Sequence, residues 1–245
     1  MNRKVYLILG ASSDLGIEFI KNLIISENDI LYLHYFSSKK RLEEIFKGSN
    51  HNVHYLKADF SKAEEIEIFR NEILMCGDIP TDIIHFAAGL VRLSRFKDIP
   101  ADKFIQDYYI QVMAVINVLQ VFLPKMAKAK NGRVVFILSS CVINKPPKFM
   151  SSYVVNKYAL FGLFKSLVNE YAEKNIRINA ISPSMIDTKF FRETNEKVLE
   201  SNAFNHPLKR IASVKDIVPS ILFLLGEKSQ YINGANIIIT GGSEF

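Results

Sequence analysis

The chain has 245 residues, 49% of them apolar, and a formal net charge of +6. Its basic residues are dispersed rather than gathered on one face, which argues against a nucleic-acid partner, and no run approaches the roughly 18 apolar residues of a membrane span. The two cysteines, Cys76 and Cys141, have neither metal-ligand spacing nor the makings of a disulfide framework; they read as buried thiols, and no metal is expected.

Met1-Asn2-Arg3-Lys4 followed by an apolar run imitates a secretory leader, but the run from Val5 to Leu9 is too short for one. It reads as a first strand, and a cytoplasmic protein is the expectation. Leu15, Phe19, Ile20, Leu23 and Ile24 have helical spacing and predict a helix over 15–26. A second strand is expected at 30–36, a helix at 39–47, a third strand at 53–56 and a helix at 62–75. The fourth strand, 83–86, leads to a long helix over 102–128. A fifth strand at 134–138, a helix at 153–174 and a sixth strand at 176–180 follow. A helix over 214–225 and a last strand at 237–240 close the series. This alternation predicts a parallel sheet with helices on both faces. Right-handed crossovers make it a doubly wound, three-layer α/β sheet (Rossmann fold) of about seven strands. No linker, repeat or composition shift divides it, so one domain over 1–245 is expected.

Ligands of such sheets bind beyond the carboxyl ends of the strands. Gly10-Ala11-Ser12-Ser13-Asp14-Leu15-Gly16 lies after the first strand. Gly10 permits a tight turn and Gly16 close helix packing. The helix N-terminus suits a pyrophosphate, and Ser12 and Ser13 add hydroxyls. Asp14, at such a turn, must point away from phosphate or cap the helix. The end of the second strand reads His34-Tyr35-Phe36-Ser37-Ser38-Lys39-Lys40-Arg41, without the acid that usually holds a ribose 2′-hydroxyl. Hydroxyls and three cations favour a 2′-phosphate, hence NADP(H), with NAD(H) the other option.

Tyr153 and Lys157 stand four apart and project from one helix face. A free phenol titrates near 10; a nearby ammonium is expected to lower that value. The tyrosine then exchanges a proton with an alcohol or ketone while hydride moves to or from the cofactor. Ser140, thirteen residues before Tyr153, supplies a hydroxyl to orient the substrate oxygen; Ser139 is the neighbouring candidate, on the opposite side of an extended chain. Tyr171 with Lys174 reads as a solvated helix end.

These motifs, spanning essentially the whole chain, resemble the short-chain dehydrogenase/reductase family, and within it the 3-oxoacyl-(acyl-carrier-protein) reductase-like branch. The resemblance implies that residues 10–16 form the cofactor turn, with contacts from Gly10, Ser12, Ser13, Leu15 and Gly16, and Asp14 in place of the middle glycine. It puts Asp59 and Phe60 near adenine; Ser37 and Lys39 are expected at the 2′-phosphate from the charge pattern above. Phe86-Ala87-Ala88-Gly89 keeps only the last two residues of the family's Asn-Asn-Ala-Gly, with Ala88 and Gly89 at the cofactor. Pro183, Ile186 and Thr188 are implied around the nicotinamide, and Thr240-Gly241-Gly242 resembles the C-terminal Asp-Gly-Gly. Ser140, Tyr153 and Lys157 match the catalytic three; Gln111 stands where the family's relay asparagine belongs.

The implied substrate loop covers 187–210, with Phe190, Phe191, Phe204 and His206; a lone His206 reads as a surface residue rather than a catalyst. Lys145-Pro146-Pro147-Lys148 is expected to rim the site. The expected substrate is a small-molecule or carrier-bound carbonyl, of the 3-oxoacyl type or, alternatively, a sugar or nucleotide-sugar. A non-catalytic dinucleotide-binding protein is the reading from another class. The resemblance also implies a homotetramer or homodimer, packed through 102–128 and 153–174.

Overall fold

The computed structural model describes residues 3–88, 93–189 and 196–243. Short, continuously apolar runs form the strands because both sheet faces are covered. In β1 (Val5–Leu9) all five residues are buried. Val5, Leu7 and Leu9 enter one core, Tyr6 and Ile8 the other. β2 (Ile30–Tyr35), β3 (Asn52–Lys57), β4 (Asp82–His85), β5 (Gly132–Ile137), β6 (Ile176–Pro183) and β7 (Asn236–Ile239) complete a seven-stranded sheet. Every pairing is parallel, in the order β3-β2-β1-β4-β5-β6-β7. The expected doubly wound fold is present. The order reverses between β1 and β4, and there a crevice opens above the strand ends.

One face carries α3 (Ala63–Met75), α4 (Ala101–Tyr108), α5 (Ala114–Ala129) and α6 (Ser151–Tyr171), packed through residues such as Phe69, Phe122, Leu160 and Phe164. The other carries α1 (Asp14–Asn22) and α2 (Lys39–Ile45), then, beyond α7 (Glu196–Asn205), α8 (Val214–Leu225). α8 starts with a capping box in which Ser213 and Asp216 exchange hydrogen bonds, a strong start signal.

Three differences from the sequence reading have local causes. The first helix ends at Asn22 rather than Ser26: Leu23 turns extended, and the Asp29 carboxylate accepts the amides of Ser26 and Lys4, fixing a turn where helix was expected. The long helix is interrupted by a π-turn at Tyr109–Met113. The rod 101–129 has the length and apolarity of a membrane span, but it lays Val115, Val118, Phe122 and Met126 into the core. Finally, α7 occupies part of the stretch read as a substrate loop. Of the two cysteines, Cys141 is buried as expected and Cys76 is exposed.

Gly10 fixes the approach of the first turn to the sheet. It has φ +76°, and a Cβ there would sit 2.7 Å from the Ala87 nitrogen. Gly10→Ala is therefore expected to lower stability by about 1–3 kcal/mol for the left-handed residue alone, with the clash adding to it; the urea unfolding midpoint measures this.

Candidate active site

A cleft of about 1080 Å³ runs along the strand ends, from Gly10 and Ser12 past Asp59 to Tyr153 and Lys157. Ser13, Leu15, Ser37, Phe60, Ala88, Ser140, Pro183, Ile186 and Thr188 also line it. Gly16 lies behind the turn, where a Cβ would meet the Ala11 carbonyl oxygen at 2.4 Å. Gly89, Phe190 and Phe191 lie outside the described residues. The cleft fits a dinucleotide: two glycines without room for a Cβ bring the backbone close, and the N-terminus of α1 offers its first-turn amides to a pyrophosphate.

Asp14 does not cap that helix. Ser13 does, its Oγ accepting the Gly16 amide at 3.1 Å. The Asp14 carboxylate instead takes Arg41 at 2.7 Å and the Lys189 amide at 2.8 Å. Burial alone would raise its pKa; the Lys189 and Arg41 contacts outweigh this and lower it. Lys39, expected at the ribose, is absent from the cleft wall among the described residues. It pairs with Glu43 at 2.9 Å and lies over the Tyr55 ring. Arg41, which also donates to the Ser12 carbonyl at 2.8 Å, is the cation of that segment on the cleft wall. Asp59 accepts both the amide and the hydroxyl of Ser61.

The floor beneath the turn is His34. Its Nδ1 accepts the Gly10 amide at 2.9 Å, so Nε2 carries the proton and donates to the Ala58 carbonyl at 3.0 Å. Its ring stacks on Phe60 with centroids 3.7 Å apart. His206 is similarly used up: Nδ1 accepts the Leu208 amide and Nε2 donates to the Thr240 carbonyl, in keeping with a non-catalytic role.

Tyr153 and Lys157 come together on one face of α6. The Lys157 Nζ donates to the Ile137 carbonyl at 2.9 Å and lies 5.5 Å from the centre of the Tyr153 ring. Burial lowers the Lys157 pKa to about 8. The Tyr153 pKa is not lowered as expected: burial foremost, and the Cys141 thiol next, push it above the ordinary phenol value. Desolvation dominates the shift. A hydrogen bond from Ser139 pulls the other way. The hydroxyl that meets the phenol is thus Ser139's. Its backbone is extended (φ −162°, ψ 153°), while Ser140 begins a 3-10 turn and is buried. Gln111 sits in the π-turn, 2% exposed; its Oε1 has no partner among the described residues, and its side chain is not on the cleft wall.

The comparisons with known proteins agree with this architecture. A family model described as enoyl-(acyl carrier protein) reductase matches residues 23–244. The 3-oxoacyl-(acyl-carrier-protein) reductase FabG of Thermotoga maritima is 30% identical, covering 98% of this chain and 97% of its own. Two solved structures share the fold: ElxO with NADP bound (23% identical, 98% of each chain, TM-score 0.83) and 4-hydroxyisoleucine dehydrogenase complexed with NADH (24% identical, 98% of each chain, TM-score 0.86). The chain belongs to the short-chain dehydrogenase/reductase family and is an NAD(P)-dependent oxidoreductase acting on CH–OH groups. Within that family it is FabG-like. The non-catalytic reading is set aside.

The two buried imidazoles give a pH test. Burial depresses His34 to about 4 and His85 to about 3, whereas unfolded histidine titrates near 6.5. Between those values the unfolded chain binds more protons than the native one, so stability falls as pH drops from about 6.5 through 4. The urea midpoint is expected to decline steadily from about pH 7 to about pH 4.5, and His34→Gln to flatten part of that decline.

Proposed function

We propose that this enzyme uses NADPH to reduce a ketone, of the 3-oxoacyl type, to the alcohol. The observation that carries the proton-donor role is the burial of Tyr153. A phenol held above its ordinary pKa stays protonated at neutral pH and suits the role of proton donor. The Ser139 hydroxyl, beside that phenol, orients the substrate oxygen between two donors. The Lys157 ammonium, filled below about pH 8, stabilises the phenolate left after transfer. The bound cofactor supplies the hydride. Support for NADP(H) comes from Arg41 on the cleft wall and from the missing acid at the end of β2. Support for an acyl substrate comes from the FabG relative and from Lys145 on the rim, which suits an acidic carrier. We also infer a homo-oligomer: α4 and α6 leave Ile105, Val155 and Tyr158 exposed. Sedimentation at micromolar concentration tests that inference, and a monomer overturns it.

Three measurements test the chemistry. NADPH oxidation against a 3-oxoacyl thioester is expected to fall by about 10²–10⁴ in Tyr153→Phe, the range of a lost general acid. Ser139→Ala is expected to lower kcat more than Ser140→Ala; the reverse order would restore Ser140 to the orienting role. Arg41→Ala is expected to cut kcat/KM for NADPH by about 10–100-fold more than for NADH, as for a lost charge-assisted hydrogen bond; an equal loss with both would leave Arg41 only its bonds to Ser12 and Asp14 in the turn.

A further inference from the structure

His85, the last residue of β4, is unused by the chemistry so far. It is 1% exposed, yet neither ring nitrogen has a hydrogen-bond partner among the described residues. His34 shows what a buried imidazole in this protein ordinarily does, with both nitrogens engaged. His85 is placed differently. It lines the cleft, and it faces Phe136 across the sheet, edge to ring at 6.3 Å. The next residue along β5, Ile137, holds the Lys157 Nζ through its carbonyl. By strand alternation His85 points to the same side as Ile83, toward α5 and α6.

Two further buried polar atoms on that side lack partners: Gln111 Oε1 in the π-turn and Asn156 Nδ2 on α6, next to Lys157 in sequence. The π-turn packs directly on α6. An unmet buried polar atom costs about 1–3 kcal/mol, and several together are ordinarily joined by internal water, which needs two to four polar partners. The groups that bear on His85 are Lys157 on α6 and His34 on β2; Cys141 and Tyr153 complete the surroundings of Lys157.

We propose that His85 is a positioning residue for the proton relay: its neutral imidazole, with Gln111, holds a water against Lys157. This rests on Tyr153 as the proton donor. During reduction the Tyr153 O–H proton goes to the oxygen of the forming alkoxide. A Lys157 N–H proton restores the phenol. The water gives its proton to the resulting amine and recovers one from bulk solvent. No electrons move in the relay, and His85 gains no net charge, in keeping with an imidazole that burial keeps neutral above about pH 3.

The test compares the full chain with His85→Leu and His85→Gln, using NADPH, a reducible ketone and Tyr153→Phe as reference. His85→Leu is expected to lower kcat about tenfold or more, below the full effect of a lost acid, with ketone KM within about twofold and a larger solvent deuterium isotope effect on kcat. His85→Gln, which can still hold water, is expected to recover much of the rate, and imidazole added to His85→Ala to recover part of it. Unfolding midpoints separate these effects from misfolding, and His85→Gln serves where His85→Leu fails to fold. If His85→Leu, or in its place His85→Gln and His85→Ala together, kept wild-type kcat and isotope effect while Tyr153→Phe was inactive, the relay role would be wrong and the donor role intact. An active Tyr153→Phe would remove both.

Discussion

The cofactor cleft hangs on one imidazole. His34 joins three strand ends at once, accepting the Gly10 amide, donating to the Ala58 carbonyl and stacking on Phe60. Without it the left-handed turn at Gly10 would leave a partly buried amide unmet, at a cost of up to about 1–3 kcal/mol. The brace also works by its protonation state: only a neutral ring both accepts and donates here. Burial keeps it neutral, so the desolvation that makes a buried histidine costly as a cation makes it dependable as a strut.

The same desolvation runs through the catalytic centre with opposite consequences for its two members. It makes the Tyr153 proton harder to lose and the Lys157 proton easier to lose. The phenol is thereby held in its protonated form, and the ammonium gives up its proton more readily than a solvated one would. The hydroxyl of Ser139 and the thiol of Cys141 adjust that balance in opposite senses at the tyrosine. One buried site thus tunes both acidities through its dielectric environment as well as through residue identity.

Much of this could be read from residue order. Uninterrupted apolar runs such as Val5–Leu9 mark strands buried on both faces, and the four-residue spacing of Tyr153 and Lys157 marks a shared helix face. The parts that escaped depend on packing and on single-residue offsets. Ser139 and Ser140 both line the cleft, and a count back from Tyr153 does not show that the chain stays extended through Ser139 and coils at Ser140. Lys39 and Arg41 carry the same charge; which one turns inward is decided by Glu43 and Asp14, one a helical turn from Lys39 and the other 27 residues from Arg41. The π-turn at Tyr109–Met113 carries no glycine or proline to announce it. The helix Glu196–Asn205 was hidden by weak periodicity in a segment rich in polar residues.

Asp14 gives the phosphate turn an unusual reach. Its carboxylate ties Arg41, on the far side of β2, to the backbone amide of Lys189, 175 residues away in the chain. Lys189 is therefore tied to the first turn of α1 by a group that also faces the cleft. Exchange of the Lys189 amide hydrogen with solvent requires that bond to open, so its protection factor is a local gauge of how firmly the turn is held. A single carboxylate, standing where the family pattern has a glycine, makes two distant loops share one local opening equilibrium.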